Sequence, residues 1–329
     1  MWFRLSAEGG QQHGYPEPRI FRRFVALADT QSFTEAAKRL GMTTSAASQA
    51  LRALEEELAV SLISRKSRPV MLTGAGRNLL DGARALLRDA RELETAVTAS
   101  SPILPLLRLG LAESVSCTVG ADIVGALFPC TKQLSVRTAM ALQLSEQFKN
   151  GDFDLLISPV SFPDMDGVTE EAVVAESFFL VTPASNTKTV STPADLLQLA
   201  RDLPYFSYTT AASDKLISER ILRSAGISPQ RSVLVESSTT MMGLVAQGLG
   251  WALLLPSNIW MGRDFCDDLR FTQLPFVSAQ RRQYAAIRSR GFCRAAKQAV
   301  EALQNGLRKR VIPQLADIHP MLAEGMTIV

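Results

Sequence analysis

Thr43, Thr44, Ser45, Ser48, Gln49 and Arg52 crowd into one short stretch of the chain. Wound into a helix, Ser45, Ser48, Gln49 and Arg52 follow three- and four-residue steps and share a face. That face carries short hydroxyls, one amide and one guanidinium. Gln can pair bidentately with adenine, and Ser or Thr can meet several bases. The chemistry available is reading base edges in a nucleic-acid groove. The same residues would also serve as the polar surface of an ordinary helical hairpin.

The elements that must position this face are legible around it, in FTEAAKRLGMTTSAASQALRALEE. Ser32 followed by Glu35 has the spacing of a capping box and opens a first short helix. Ala36, Ala37 and Leu40 form its narrow inner face. Gly41 ends it, because glycine adopts positive φ without steric cost. Thr43 or Thr44 caps a second helix with inward residues Ala47, Ala50, Leu51, Leu54 and Leu58. Two short helices around a tight turn predict a helix-turn-helix, whose second helix enters the major groove. A preceding helix over Ile20 to Asp29 buries Ile20, Phe24, Leu27 and Ala28. After Leu58, LISRKSRPVMLT reads as a two-stranded wing with Arg65, Lys66 and Arg68 at its tip, or as a solvated loop. A basic tip suits DNA backbone or minor-groove contact.

Charge location agrees. The whole chain has a net charge of only +3, yet nine Lys or Arg face five Asp or Glu between Arg19 and Arg68. The surplus sits where phosphate contacts would be made. The 329 residues predict two or three domains, and 47% hydrophobic content supports substantial cores. Cys117, Cys130, Cys266 and Cys293 have no metal spacing and read as reduced thiols. His13 and His319 lie in terminal segments, so no central histidine offers general-base or metal chemistry. No apolar run is long enough to span a bilayer, and residues 1–19 read as a loose arm rather than a signal peptide.

Thr73 begins a long helix to about Ser100. Leu79, Ala83, Leu86, Ala90, Leu93 and Val97 step by four and three residues along it, a heptad seam. A seam this narrow wants a partner helix, most simply the same helix of a second subunit. Ser100, Ser101, Pro102 and Pro105 then break the pattern. From Leu106 strands and helices alternate, predicting α/β units with a parallel sheet. The chain is expected to cross into a second lobe near Ser158 to Pro163 and to return near Gln273 to Val277.

These residues carry a family likeness. FVALADTQSFTEAAKRLGMTTSAASQALRALEEELAVSLISR, MLTGAGRNLL and LVAQGLGWALLLP resemble the LysR-type transcriptional regulators, over about Ile20 to Lys309. The resemblance implies a winged helix-turn-helix over 20–78 and a linker or dimerisation helix over 79–104. It also implies a periplasmic-binding-protein-like α/β effector domain of two lobes over 105–310, with lobe I at 105–158 and 276–310 and lobe II at 159–275. Residues 311–329 remain as a tail with no assigned role. Thr44, Ser48 and Gln49 match the family's base-reading positions, and Arg65 its wing arginine. Thr44 stands where Gln is frequent, Gln49 where Arg is frequent, and Ile63 where Phe is usual.

The resemblance also implies an effector in the cleft between lobes. By position, its contacts are Glu113, Ser114 and Ser116 in the turn after the first strand, then Met140 and Ala141 in the turn after the second, Tyr208 and Thr209 from the far lobe, and Ser237 and Ser238 there at a helix start. Met140 and Ala141 make the site apolar. The Ser237–Ser238 helix start offers either an anion seat or simple capping. Glu113 could repel an anion, attract an amine or point to solvent. The expected partners are double-stranded promoter DNA and a small apolar or aromatic effector with a carboxylate, in a homodimer or homotetramer. No cofactor, metal or membrane is implied, and the setting is a bacterial, nucleoid-associated cytoplasmic one. Two rivals remain. One is an α/β enzyme with a helical extension, which lacks GxSxG, phosphate-loop or metal signatures. The other is a small-molecule-binding protein whose N-terminal helices serve dimerisation only.

Overall fold

The computed structural model describes residues 18–64, 69–98, 103–209, 213–288 and 290–329. The chain divides into two compact units, Met1–Thr95 and Ala96–Val329.

In the first unit, α1 (Pro18–Thr30), α2 (Phe33–Leu40) and α3 (Thr44–Glu57) precede a two-stranded antiparallel wing, β1 (Ile63–Ser64) and β2 (Met71–Leu72). Phe24, Leu27, Ala36, Leu51, Leu54 and Leu62 build the core. Gly41 ends α2 in the left-handed region, at φ 64°. Helix α4 (Gly74–Thr98) follows, with the Thr73 hydroxyl accepting from Gly76 N. Glu55 is buried but satisfied, since Oε1 accepts from the N–H groups of Leu62 and Ile63 at the wing entry. Asp29 on α1 pairs with Arg39 of α2 and Arg84 of α4, so one carboxylate pins three helices.

The heptad seam divides. Ala83 is buried in the unit's own core at 2% exposure, and Leu79 packs against that core. Leu86, Leu93 and Val97 are 46%, 67% and 72% exposed. The N-terminal end of the seam therefore serves the first unit's own core, and the described seam residues beyond it are exposed.

The second unit contains two sheets. The six-stranded sheet runs β13-β6-β12-β5-β3-β4, built from β3 (Leu107–Ala112), β4 (Leu134–Ala139), β5 (Leu155–Ser158), β6 (Thr169–Ser177), β12 (Gln280–Ile287) and β13 (Met326–Ile328). Strands β3, β4 and β5 are parallel, and α5 (Glu113–Leu127) and α6 (Ala141–Lys149) connect them. The five-stranded sheet runs β11-β7-β10-β8-β9. Its strands are β7 (Phe179–Pro183), β8 (Tyr205–Tyr208), β9 (Ser232–Val235), β10 (Trp251–Leu254) and β11 (Leu269–Gln273). Helices α7 (Pro193–Asp202), α8 (Ser213–Ser224), α9 (Ser238–Ala246) and α10 (Pro256–Met261) accompany them.

Three expectations need correction. The first crossing lies at Ser177–Phe179, not Ser158–Pro163, because β6 pairs antiparallel with β12 along its whole length and so belongs to the first sheet. Helix α5 starts at Glu113 itself, so residues 113–116 form a helical turn rather than a loop. The segment after α11 (Cys293–Gly306) is ordered structure. A π-helical turn (Leu307–Val311) leads into α12 (Ile312–Ile318), α13 (Pro320–Glu324) and β13, which extends the first sheet beside β6. Leu315, Leu322 and Met326 are buried there. Gln314 Oε1 accepts from the Trp260 indole N–H of α10, so these residues touch both lobes.

Candidate DNA-binding surface and effector cleft

Thr43 is the N-cap of α3, with its hydroxyl accepting from Ala46 N at 3.2 Å. The first helical turn therefore begins at Thr44. Thr44, Ser45, Gln49 and Arg52 are exposed and Ser48 is half-buried, while Ala47, Leu51 and Leu54 face the core. The expected outer face is thus assembled on one helix. Ser32 caps α2 by accepting from Glu35 N at 3.4 Å, a structural role that accounts for its hydroxyl. Arg65, Lys66 and Arg68 lie outside the described residues, although β1 and β2 on either side pair as a wing should.

The cleft of the second unit sits where the parallel strands of both sheets end, the place where open α/β sheets hold ligands. Counted with the open solvent at its mouth it spans about 400 Å³, of which about 40 Å³ admits the centre of a water-sized sphere, so a ligand larger than a few atoms needs the lobes to part. Glu113 and Ser114 follow β3, Met140 and Ala141 follow β4, Tyr208 ends β8, and Ser238 starts α9. All six line it. Ser116, Thr209 and Ser237 are not among its lining residues. Ser116 Oγ accepts from Thr138, Thr209 N is spent on Val235 O, and Ser237 caps α9 by accepting from Thr240 N. For Ser237, the capping role is the one the geometry fills.

The sequence did not mark the residue at the centre. Arg281, on β12, is 2% exposed. Its Nη1 donates to both Asp214 carboxylate oxygens, at 2.9 and 2.8 Å. Its Nη2 donates to Glu176, to Ser257 Oγ at 2.9 Å and to Ser114 Oγ at 3.3 Å. Burial disfavours the guanidinium's charge, but Asp214 and Glu176 more than offset this, and its pKa stands above the ordinary arginine value. Asp214 and Asn258 also line the cleft. Asn258 Nδ2 donates to Ser238 Oγ at 2.9 Å, and Ser238 Oγ shares a 2.6 Å hydrogen bond with the Tyr208 hydroxyl. Burial first, then the Asp214 charge, pushes the Tyr208 hydroxyl well above its usual pKa, so it stays a neutral donor. Among the described residues no group of His, Cys, Asp and Glu has the arrangement of a metal site.

Two family profiles cover most of the chain. "Bacterial regulatory helix-turn-helix protein, lysR family" matches residues 18–77, and "LysR substrate binding domain" matches residues 104–308. The chain belongs to the LysR family. It is a LysR-type DNA-binding transcriptional regulator with an effector-binding domain. A "Probable hydrogen peroxide-inducible genes activator" of Streptomyces viridosporus is 33% identical over 51% of this chain and 54% of its own length. The chain thus spans about half of that relative. The HTH-type transcriptional regulator TfdS of Cupriavidus pinatubonensis is 28% identical over 74% of this chain and 83% of that protein. A full-length OxyR of Pseudomonas aeruginosa shares the fold, with TM-score 0.66 at 22% identity, covering 91% of this chain and 97% of the other. The α12–α13–β13 segment lies beyond the matched effector-domain region of this LysR regulator.

Proposed function

We propose that this LysR regulator reads promoter DNA with α3, braced by the wing. In this reading a small molecule in the cleft biases the lobe arrangement and so the affinity for DNA. The carrying observation is that residues of both lobes converge on one cleft at the carboxyl ends of parallel strands. A ligand touching both lobes favours one arrangement only through its differential affinity for the two. Ala139, Met140, Ala141 and Pro159 supply an apolar wall, which suits an apolar or aromatic body. A carboxylate on the effector has two donors within reach of the lining. The N–H groups of Ser238 and Thr239, which open α9, have no intrahelical acceptor, Thr240 N being taken by the Ser237 cap, and the Ser114 hydroxyl already accepts from Arg281 and Gln283, which leaves its O–H to donate. Arg281 is a poor anion seat, since its Nη atoms already serve Asp214 and Glu176. Exposed Leu86, Leu93 and Val97 on α4 support a homodimer through that helix, with a tetramer formed from two such dimers. The regulator then acts in the bacterial cytoplasm on nucleoid DNA. No described helix is long and apolar enough to cross a membrane.

The name of the Streptomyces relative raises a peroxide response. The thiols give it little support. Reactive cysteines have lowered pKa values, whereas burial and then the Glu113 charge raise Cys117, and burial chiefly lifts Cys266 to about 12. Cys130 donates to Gln298 Oε1, and no cysteine lines the cleft.

The test is a bulky residue in the cleft. Ser114→Trp and Ser238→Trp should each abolish the effector response and leave operator binding intact. A normal response in both variants would move the effector site elsewhere.

A further inference from the structure

The charge of the cleft asks for more than a carboxylate. Glu113 lines it from the first turn of α5, with no hydrogen-bond or ion-pair partner among the described residues. Asp214 lines it from the first turn of α8. Behind them Glu176 shares Arg281 with Asp214. Two carboxylates therefore meet one guanidinium, and Glu113 adds a third carboxylate to the lining without a cationic partner among the described residues. Glu113, Asp214, Arg281 and the buried Tyr208 all line this one cleft. Residues 210–212 between β8 and α8 add no charge, being Thr, Ala and Ala.

A ligand that brought only a carboxylate would add a fourth negative charge to this partly desolvated space, where like charges are poorly screened. Arg281 cannot absorb it without giving up Asp214. The lining nevertheless has two poles. The Ser114 hydroxyl, whose oxygen already accepts two donors, and the start of α9 are the donor pole. Glu113 and, beside it, Asp214 are the acceptor pole. The apolar wall of Ala139, Met140, Ala141 and Pro159 belongs to the same cleft.

Resting on the cleft reading above, we infer that the effector carries a protonated nitrogen beside its carboxylate: an α-amino acid with an apolar or aromatic side chain. Its ammonium sits against Glu113, with Asp214 as second acceptor. Its carboxylate takes the Ser114 hydroxyl and the α9 N–H groups. The ligand is then neutral overall and meets each pole with the opposite charge. Glu113 is the residue that selects it against the matching des-amino acid.

Three shape-matched probes test this on the full chain by calorimetry and thermal shift: L-phenylalanine, 3-phenylpropanoate and 2-phenylethylamine. L-phenylalanine should bind the wild-type protein at least tenfold more tightly than 3-phenylpropanoate. Glu113→Gln should weaken L-phenylalanine about tenfold and leave 3-phenylpropanoate unchanged or improved. Because Glu113 is only half-buried, this variant should keep the parent's melting temperature. Equal or tighter binding of 3-phenylpropanoate to the wild type overturns the amino-acid inference and leaves the apolar-carboxylate reading standing. Preference for 2-phenylethylamine overturns the donor pole. L-phenylalanine affinity unaffected by Glu113→Gln removes Glu113 from the site. Silence from all three probes overturns both this inference and the ligand class proposed above.

Discussion

The proposed DNA-reading face and the proposed effector cleft are built in opposite ways. The face comes from one stretch of chain: Thr43 caps α3, and Thr44, Ser45, Ser48, Gln49 and Arg52 follow within it. The cleft draws on both lobes, and its central contact joins Ser114 to Arg281 across 167 residues of sequence. Apart from the Thr43 cap, the exposed residues of such a local face can be altered one by one without disturbing the fold, because no described hydrogen bond or ion pair of theirs holds another element in place. The cleft's polar groups hold one another. Its specificity and its stability are therefore coupled, and those of the DNA face are not.

The strongest way to break this contrast is Arg281→Ala. It strands Glu176 and Asp214 as uncompensated buried carboxylates, and removing one partner of a buried ion pair costs about 3–5 kcal/mol. Calorimetry should show a large loss of melting temperature. A variant as stable as the parent would mean that the cluster does not hold the cleft together. Leu86→Asp comes next. It should cost about 3 kcal/mol of dimerisation by placing an unpaired charge in the seam. Because Leu86 is exposed within its own unit, the monomer's folding should be spared. Light scattering that still reports the parent's mass would exclude this seam as the interface.

Smaller effects belong to the DNA face. Gln49→Ala should weaken specific binding by about 1–3 kcal/mol and leave random-sequence binding and melting temperature unchanged. Equal losses on both DNAs would show that Gln49 reads no base. Arg65→Ala should weaken both kinds of binding and lower the salt slope by about one unit. An unchanged slope in a salt titration would take the wing tip off the phosphates.

The same contrast governs what could be read in advance. Ser32, Gly41 and Thr43 cap or end their helices as their types predict, because helix caps and a turn glycine are decided within a few residues, although of the expected capping box only the Ser32 half is made among the described residues. In the cleft, Glu113, Ser114, Met140, Ala141, Tyr208 and Ser238 were legible through family position. Arg281 was not. On β12, Arg281 and Gln283 point inward while Gln280 and Arg282 point outward, so both faces are polar at this end and alternation gives no sign of which is buried. Strand β6 hid similarly, since its first half carries Glu170 and Glu171 and only its second half is continuously buried. The α12–α13–β13 segment escaped because its elements are short, with Pro313 in the first turn of α12 and Pro320 opening α13, too brief for periodicity to show.

In the proposed mechanism, DNA reading and effector sensing use separate surfaces of one chain. This separation is tested most directly by the ratio of operator to random-DNA affinity, measured by fluorescence anisotropy for wild type, Gln49→Ala and Ser114→Trp. The operator is a fragment that the wild-type protein selects from a random pool. The account predicts that Gln49→Ala lowers this ratio about tenfold or more, by the free energy of one lost base contact, while Ser114→Trp keeps the wild-type ratio. A ratio that survives Gln49→Ala and falls with Ser114→Trp would contradict it.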